Sequence, residues 1–450
     1  MDVRTAVVLG GSVAGLMAAR VLSDHAESVV VVEADDLEAG GARPGAPQSV
    51  QLHALLDMGR TQIERWFPGL TAELVAGGAV ASDGVRMRQY VDGALKVVVP
   101  GHELIGATRP FLEARIRRRV LALRNVRLVR GRAEGLRFTG RRVSGVRYLP
   151  VGDGADWDGG SGRECLTADF VVDATGRSSR LGAWLDKAGW QPPPLERMHI
   201  DLGYATALFR RGEELPDVSV AHSVESPPAP GQPQLDAGAM AEVEGGRWMA
   251  VLVAYADRRP TKDPEEFVAR CARVRAAALR EMVTRCEMLG DVAVHRVPDS
   301  RRRHFWDLRR FPAGLAAAGD AVASFNPVYG QGMASASLHA SCLSAFLRSG
   351  APLDEPAWGY FKRLRVVVDA AWQLSTLSDL AQPHVSGPYP PGYRVASWYG
   401  SRLLAASITD TELNRRFLDV INMREHPRLF TRPGTVWRVA ARTLTSRARW

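Results

Sequence analysis

The chain has 450 residues, 58 Lys+Arg against 49 Asp+Glu for a formal charge of +9, and 46% hydrophobic content. That length and balance exclude wholesale disorder and allow two or three domains, or one domain with large insertions. The excess charge is almost all arginine, since Lys96, Lys187, Lys262 and Lys362 are the only lysines; with no aromatic-basic nucleic-acid module in sight it reads as solvated surface, not as a nucleic-acid partner.

Thr5–Leu9 is a short apolar run that stops at Gly10-Gly11-Ser12. A helical pattern follows over Val13–Leu22, and a second apolar run, Val29–Val32, ends at Glu33. Strand, tight turn, helix and strand in about 30 residues predict a βαβ unit with parallel strands. The turn reads Gly10-Gly11-Ser12-Val13-Ala14-Gly15, a GxGxxG fingerprint with Ser at the second glycine. Gly10 permits the tight turn, Ser12 keeps the approach small, and Gly15 lets helix and strand pack closely. The first helical N–H groups, around Val13 and Ala14, are then free for a pyrophosphate, and Glu33 can accept from ribose hydroxyls. The rival reading is a glycine-rich turn with no ligand.

No stretch of about 18 apolar residues suggests a spanning helix. No secretory pattern precedes the first strand, and Cys165, Cys271, Cys286 and Cys342 lie far apart. A cytoplasmic location with free thiols is expected.

Residues 108–123 read as an amphipathic helix with Leu112, Ile116, Val120 and Leu123 inward and Arg115, Arg117, Arg118 and Arg119 on a solvated face. Pro110 suits its first turn and Glu113 its dipole. Residues 126–148 read as a small antiparallel meander, 152–162 as a Gly/Asp-rich hairpin tip, and 168–172 as a buried strand leading to Asp173-Ala174-Thr175-Gly176. A substrate-facing region follows, with the loop Pro227–Pro230, a strand near 249–256 and one helix over 264–288. Leu315–Ala318 is a further buried strand ending at Gly319-Asp320, and a helix begins at Gly332. Beyond about 352 the pattern is mainly helical, broken at 387–392. The basic stretch from Val436 reads as a surface helix, with a membrane-lying helix as the alternative.

The fingerprint at 10–15, the Asp-Ala-Thr-Gly segment at 173–178 and the Gly-Asp segment at 319–333, in that order, resemble the class A flavoprotein monooxygenases of the p-hydroxybenzoate hydroxylase type. The resemblance implies an α/β fold: a Rossmann-like FAD-binding domain (1–75, 105–190 and 300–350), an interleaved α+β substrate domain (76–104 and 191–299) and a helical C-terminal segment (351–450). It implies non-covalent FAD, with NAD(P)H as a transient reductant and O2 as co-substrate. Gly10, Ser12, Val13, Ala14 and Gly15 would hold the pyrophosphate and Glu33 the adenosine ribose. Arg43 would lie near the pyrophosphate, Arg109 would reach the flavin side, and Asp320 would bind the ribityl chain. Asp173 would brace the FAD and the NAD(P)H site. Pro327, Gly330, Gly332 and Met333 would form a flavin-positioning loop, whose helix N-terminus stabilises negative charge on the reduced ring.

Pro47-Gln48, Gln51–Leu56, Trp372, Asp379, Pro383, Pro390-Pro391-Gly392 and Trp398-Tyr399 are further similar to actinobacterial flavin epoxidases and hydroxylases of polyether and polyketide pathways. The expected reaction is therefore epoxidation or hydroxylation of an apolar polyketide- or terpenoid-like intermediate through a C4a-hydroperoxyflavin, with no general acid or base assigned. The alternatives are an FAD-dependent reductase or dehydrogenase of the same fold and a non-catalytic flavin-binding protein. His53 could face the flavin or simply pack. Trp372, Trp398 and Tyr399 could line a channel, though packing is the favoured reading. No HExxH box, GxSxG elbow or WxWxIP segment is present, so a metal site, a serine hydrolase and a flavin halogenase are not expected.

Overall fold

The apolar run at the start of the chain forms β1 (Val3–Leu9), whose residues from Ala6 to Leu9 are wholly buried. A strand covered on both faces reads as continuous Val/Leu, and its neighbours here run parallel to it. These are β2 (Ala26–Glu33) on one side and Phe170–Asp173 on the other. The helix α1 (Val13–Leu22) makes the first crossover. The computed structural model describes residues 3–37, 43, 45–151, 163–226 and 236–447. The segment 152–162 and the loop Pro227–Pro230 lie outside the described residues.

The first sheet has seven strands. Leu315–Ala317 extends it in parallel beyond Phe170–Asp173. On the other side Val126–Thr139 starts as a parallel neighbour of β2, then runs on into an antiparallel hairpin with Arg142–Pro150, which pairs in turn with Glu164–Thr167. The fold is thus α/β, as the fingerprint and its order of strands require.

A second, eight-stranded sheet is built from residues 87–95, 195–303 and 323–324. Its strands are antiparallel except for the pair Met87–Val91 and Val220–Val224. Alternation along Arg247–Tyr255 shows how it is covered. Trp248, Ala250 and Leu252 join a core with Phe267, Leu279 and Met282, while Val251, Val253 and Tyr255 face a large cavity. The expected single helix over 264–288 is two, Pro264–Cys271 and Ala277–Arg285. The break buries Val274 and Ala276 and lets both short helices present apolar residues to the same sheet, which one straight rod could not do. Ala54–Leu55, Leu104–Gly106 and Val80–Ser82 form a third, small sheet.

The helix α2 (Arg109–Leu121) buries Leu112, Ile116 and Val120 as its spacing predicts. Its arginines are not simply solvated. Only Arg118 among the four is fully exposed; Arg115 stacks 3.3 Å above the Phe111 ring, Arg117 donates to the Leu37 carbonyl, and Arg119 pairs with Glu73 at 2.8 Å. Nor does Glu113 act on the dipole: it is 1% exposed and points inward.

Two helices place the site. The helix α3 (Gly332–Leu347) is apolar nearly all round and packs against α1, with Ala and Ser allowing close approach. The helix α4 (Trp358–Asp379) follows, then Tyr393–Ala406, Thr411–Ile421 and Pro433–Arg447. Arg438 and Arg442 of the last helix reach Asp410 at 2.8 and 2.7 Å, so part of its basic face is tied down. Among the described residues no helix is long and apolar enough to cross a membrane.

Candidate active site

A cavity of about 1910 Å³ runs from the end of β1 and β2, past the start of α3, to the inner face of the second sheet and the C-terminal helices. Its first end is the fingerprint turn. Gly10 sits at φ +102°, and a Cβ there would lie 2.4 Å from the Ala174 carbonyl oxygen. A Cβ on Gly15 would lie 1.8 Å from the Gly10 oxygen, so both positions admit only glycine. Gly10, Ser12, Val13 and Ala14 border the cavity, while Gly15 lies behind them. No acidic residue occupies the first turn of α1, and the Ser12 side chain does not cap it. Its first N–H donors, which have no intrahelical partner, are therefore available to an anion.

An ionic cluster closes this end. Glu33 accepts from the Gly11 and Asp35 N–H groups at 2.6 and 2.9 Å. Arg43 pairs with Glu33 at 3.0 Å, Asp35 at 3.1 Å and Glu113 at 2.9 Å. Glu113 also accepts from Ser12 Oγ at 2.5 Å and from Arg109 Nε at 2.8 Å. Burial alone would push the Glu113 carboxyl up; Arg109, Ser12 and Arg43 together hold it below the usual glutamate range. Arg43 and Arg109 border the cavity, yet both guanidinium groups are already engaged by carboxylates. Glu113 is the link between them, and the Ser12 hydroxyl, expected only to be small, donates to Glu113 and accepts from Arg109 Nη2 at 3.0 Å.

Arg109 Nη1 lies 3.4 Å from His53 Nε2, and His53 Nδ1 lies 2.7 Å from the Gln51 carbonyl. Burial first, and Arg109 second, lower the imidazole to about 4. A neutral ring next to an acceptor-only carbonyl carries its proton on Nδ1, so Nε2 is the acceptor for Arg109. His53 borders the cavity and is not merely packed.

Asp173 stands behind the wall rather than in it. It is fully buried and does not border the cavity. Its carboxylate accepts from Thr175 N at 3.0 Å and Thr175 Oγ1 at 2.6 Å, and from the Ser179 hydroxyl. It shapes the loop, and Thr175, Gly176 and Arg177 form the wall. Asp320 does border the cavity; burial raises its carboxyl, against the pull of Arg109 and Arg177.

The turn before Asp320 is held by a residue with no motif signal. His339, inside α3, accepts from Gly319 N at 2.9 Å through Nδ1 and faces Ser335 Oγ through Nε2 at 3.2 Å. Burial lowers it to about 3, which keeps Nδ1 unprotonated. The loop Pro327–Tyr329 is capped by Asn326, whose Oδ1 accepts from Val328 N at 3.0 Å. Asn326 Nδ2 donates to Asp379 at 2.7 Å and to Tyr255 at 3.2 Å. Pro327, Gly330, Gly332 and Met333 all border the cavity, and a Cβ on Gly332 would meet nothing within 4 Å. The N-terminus of α3 thus opens on free space, with no acidic residue in its first turn.

Beyond this loop the cavity continues between Met87, Val220, Ala239, Val251 and Val253 of the sheet and Trp372 and Leu377 of α4. Trp372 forms wall and also takes Arg302 at 4.7 Å on its ring. Tyr399 forms wall too, its hydroxyl tied to the Phe430 carbonyl at 2.7 Å, whereas Trp398 is 60% exposed and faces out.

No family model matches the chain. Protein Rv3254 of Mycobacterium tuberculosis is 35% identical to it over 425 residues, which span 92% of this chain and 88% of that protein. Among solved structures, a flavoprotein/dehydrogenase from Cytophaga hutchinsonii superposes with a TM-score of 0.69 at 13% identity, over 100% of both chains. PqsL from Pseudomonas aeruginosa, described as a probable FAD-dependent monooxygenase, superposes with a TM-score of 0.61 at 20% identity, over 85% of this chain and 98% of that one. At such identities the likeness establishes a shared α/β flavoprotein fold.

Proposed function

The chain belongs to the family of protein Rv3254 of Mycobacterium tuberculosis, and from that premise and its flavoprotein fold we propose that it is an FAD-dependent monooxygenase acting on an apolar small molecule. The observation that carries this is the continuity of one cavity, which joins the glycine-rich turn at the start of α1, the N-terminus of α3 and a mainly apolar lining from the second sheet and α4. The residues fit the cofactor. The donors of α1 would hold the diphosphate, Glu33 the adenosine ribose, Asp320 the ribityl chain, and Gly332 and Met333 the flavin ring. Arg43 acts by fixing Glu33 and Glu113 in place. When bound, FAD supplies the redox chemistry that lets O2 react, with NAD(P)H as the source of electrons.

The protein's own work is placement. The N-terminus of α3 favours negative charge at its tip, and the chamber of Val, Ala, Met and Trp excludes water around the reacting carbon. Alkene epoxidation or hydroxylation of a polyketide- or terpenoid-like molecule fits such a lining. A dehydrogenase working without O2 is the second reading, which the Cytophaga neighbour favours; a non-catalytic flavin binder is the third.

The test is incubation of flavin-loaded protein with NADPH, 18O-labelled O2 and candidate polyenes. Labelled oxygen in the product supports the proposal. Product formed without oxygen uptake supports the dehydrogenase, and flavin-loaded protein whose NADPH oxidation no substrate stimulates supports the binder. Asp320→Ala should lose flavin on gel filtration; full retention would remove its assigned role.

A further inference from the structure

One wall of the chamber follows a row of paired residues across the second sheet, with Thr206 buried behind its first end. Thr206 pairs with Val251, Val251 with Ala239, Ala239 with His222, and His222 with Gln89. Thr206 is anchored at the cofactor end, donating to Gln51 Oε1 at 2.6 Å, two residues before His53. At about 4.8 Å per strand, Gln89 lies about 19 Å from Thr206. The middle of the row is small and apolar. Its far end is polar, and the polar groups there are idle: among the described residues neither the Gln89 amide nor the His222 ring has a hydrogen-bond partner, although both border the cavity.

Behind them sits Lys96. Its backbone N–H donates to the Gln89 carbonyl at 2.8 Å, which places it next in the row. The side chain is only 4% exposed, so the amine does not reach bulk water as a surface lysine would. Among the described residues no carboxylate lies within ion-pair distance of it, and the amine makes no hydrogen bond. Glu225, beyond the same strand as His222, is taken by Arg275. What the amine has is the face of Phe417, 4.1 Å away; Phe417 borders the cavity, whereas Lys96 lies one layer behind its wall. A void of about 10 Å³ lies among Lys96, Gln89 and Asn414, whose Oδ1 is buried and unpartnered. It holds one water at most. Burial lowers Lys96 to about 7, and its proximity helps to hold His222 near 4.

Carrying charge at this buried position is costly without a counterion, so an anion that reaches the amine would hold it protonated. We propose that the Lys96–Gln89–His222 corner is a carboxylate subsite, so that the substrate is an elongated apolar molecule whose acid end lies here while its far part reaches the Arg109–His53 end. One cation flanked by a neutral amide and a neutral imidazole matches a singly charged group, not a phosphate dianion, which calls for arginine forks or helix N–H groups. That the bound acid is a substrate rests on the monooxygenase reading; the subsite itself does not.

The experiment titrates dodecanoate and dodecanamide into flavin-loaded protein by calorimetry at pH 8, in two buffers of different ionisation enthalpy. The expected result is at least tenfold tighter binding of the acid, with proton uptake, because Lys96 is mostly neutral at pH 8 and charges on meeting the carboxylate. Lys96→Met should abolish both. Equal affinity for acid and amide, no binding of dodecanoate, or an acid preference that survives in Lys96→Met would overturn the subsite. If that variant does not fold, the wild-type comparison and its proton uptake decide alone. Flavin absorbance separates the two readings: protein that retains no flavin but prefers the acid counts against the cofactor, and flavin-loaded protein without acid preference counts against the subsite.

Discussion

The hydroxyl of Ser12 donates to the carboxylate of Glu113 at 2.5 Å, and the same oxygen of Glu113 accepts from Arg109. The fingerprint turn and α2 are thereby joined through one buried acid that also holds Arg43. Glu113→Gln should lower the unfolding free energy by about 3 kcal/mol, the low end for removing one partner of a buried pair. Because its folded pKa is depressed, Glu113 contributes fully above the ordinary glutamate range, and the contribution is lost as pH falls through the folded value. Urea unfolding at neutral and acid pH checks both, and the variant should lack that part of the acid loss.

Gly15→Ala should be far worse than an ordinary Gly→Ala change in a helix, which is often stabilising. The added carbon would meet the Gly10 carbonyl at 1.8 Å, and overpacking against rigid backbone should cost about 3 kcal/mol, the upper end of the usual range. Thermal unfolding with and without added FAD measures it. A variant as stable as the wild type would refute the turn geometry.

Asp379 runs the other way in pH. Burial raises it to about 6, although Asn326 and Ser375 both donate to it. The folded state then holds the proton more tightly than the unfolded state, so stability falls as pH rises through the window from about 4 to about 6. A rise of about two units corresponds to about 3 kcal/mol. Asp379→Asn keeps an acceptor for Asn326 and removes the titration, so its stability relative to wild type should grow across that window. Parallel pH–stability curves would count against the buried carboxyl.

His53 should be neutral at pH 7 with its proton on Nδ1. Nitrogen-15 NMR of histidine-labelled protein should show that tautomer and a midpoint near 4. The stabilisation from keeping it neutral is complete above about 6.5 and is lost as pH falls toward 4. A midpoint at 6.5, or the Nε2 tautomer, would detach His53 from Arg109.

The local devices were readable where the chemistry is local. Gly10, Gly15, Glu33 and the strand–turn–helix order follow from apolar runs and backbone rules, and so does the strand near 249–256, though not which of its faces meets the cavity. The partners at long range were not. Nothing near Glu113 in sequence marks it as the hub for Ser12, Arg43 and Arg109, and a carboxylate near the start of a helix reads as dipole chemistry by default. His339 likewise sits in an apolar helix with no signal that its ring supports Gly319. The division of 264–288 was hidden because both halves carry a helical period. Asp173 was placed on the right loop, yet the motif does not say whether a carboxylate faces inward to its own backbone or outward to a ligand.

The cavity wall near the turn joins residues 10–14, 33, 43, 109, 175–177, 320 and 332–333. Those segments come from almost three quarters of the chain's length, and α3 closes the set at Leu347. During synthesis, therefore, β1 and α1 can form early, but no ligand that lies along this wall can be gripped before residue 347 has left the ribosome. If the cavity holds FAD as proposed, loading would wait until about three quarters of the chain is made, and fragments ending before α3 should be isolated without flavin.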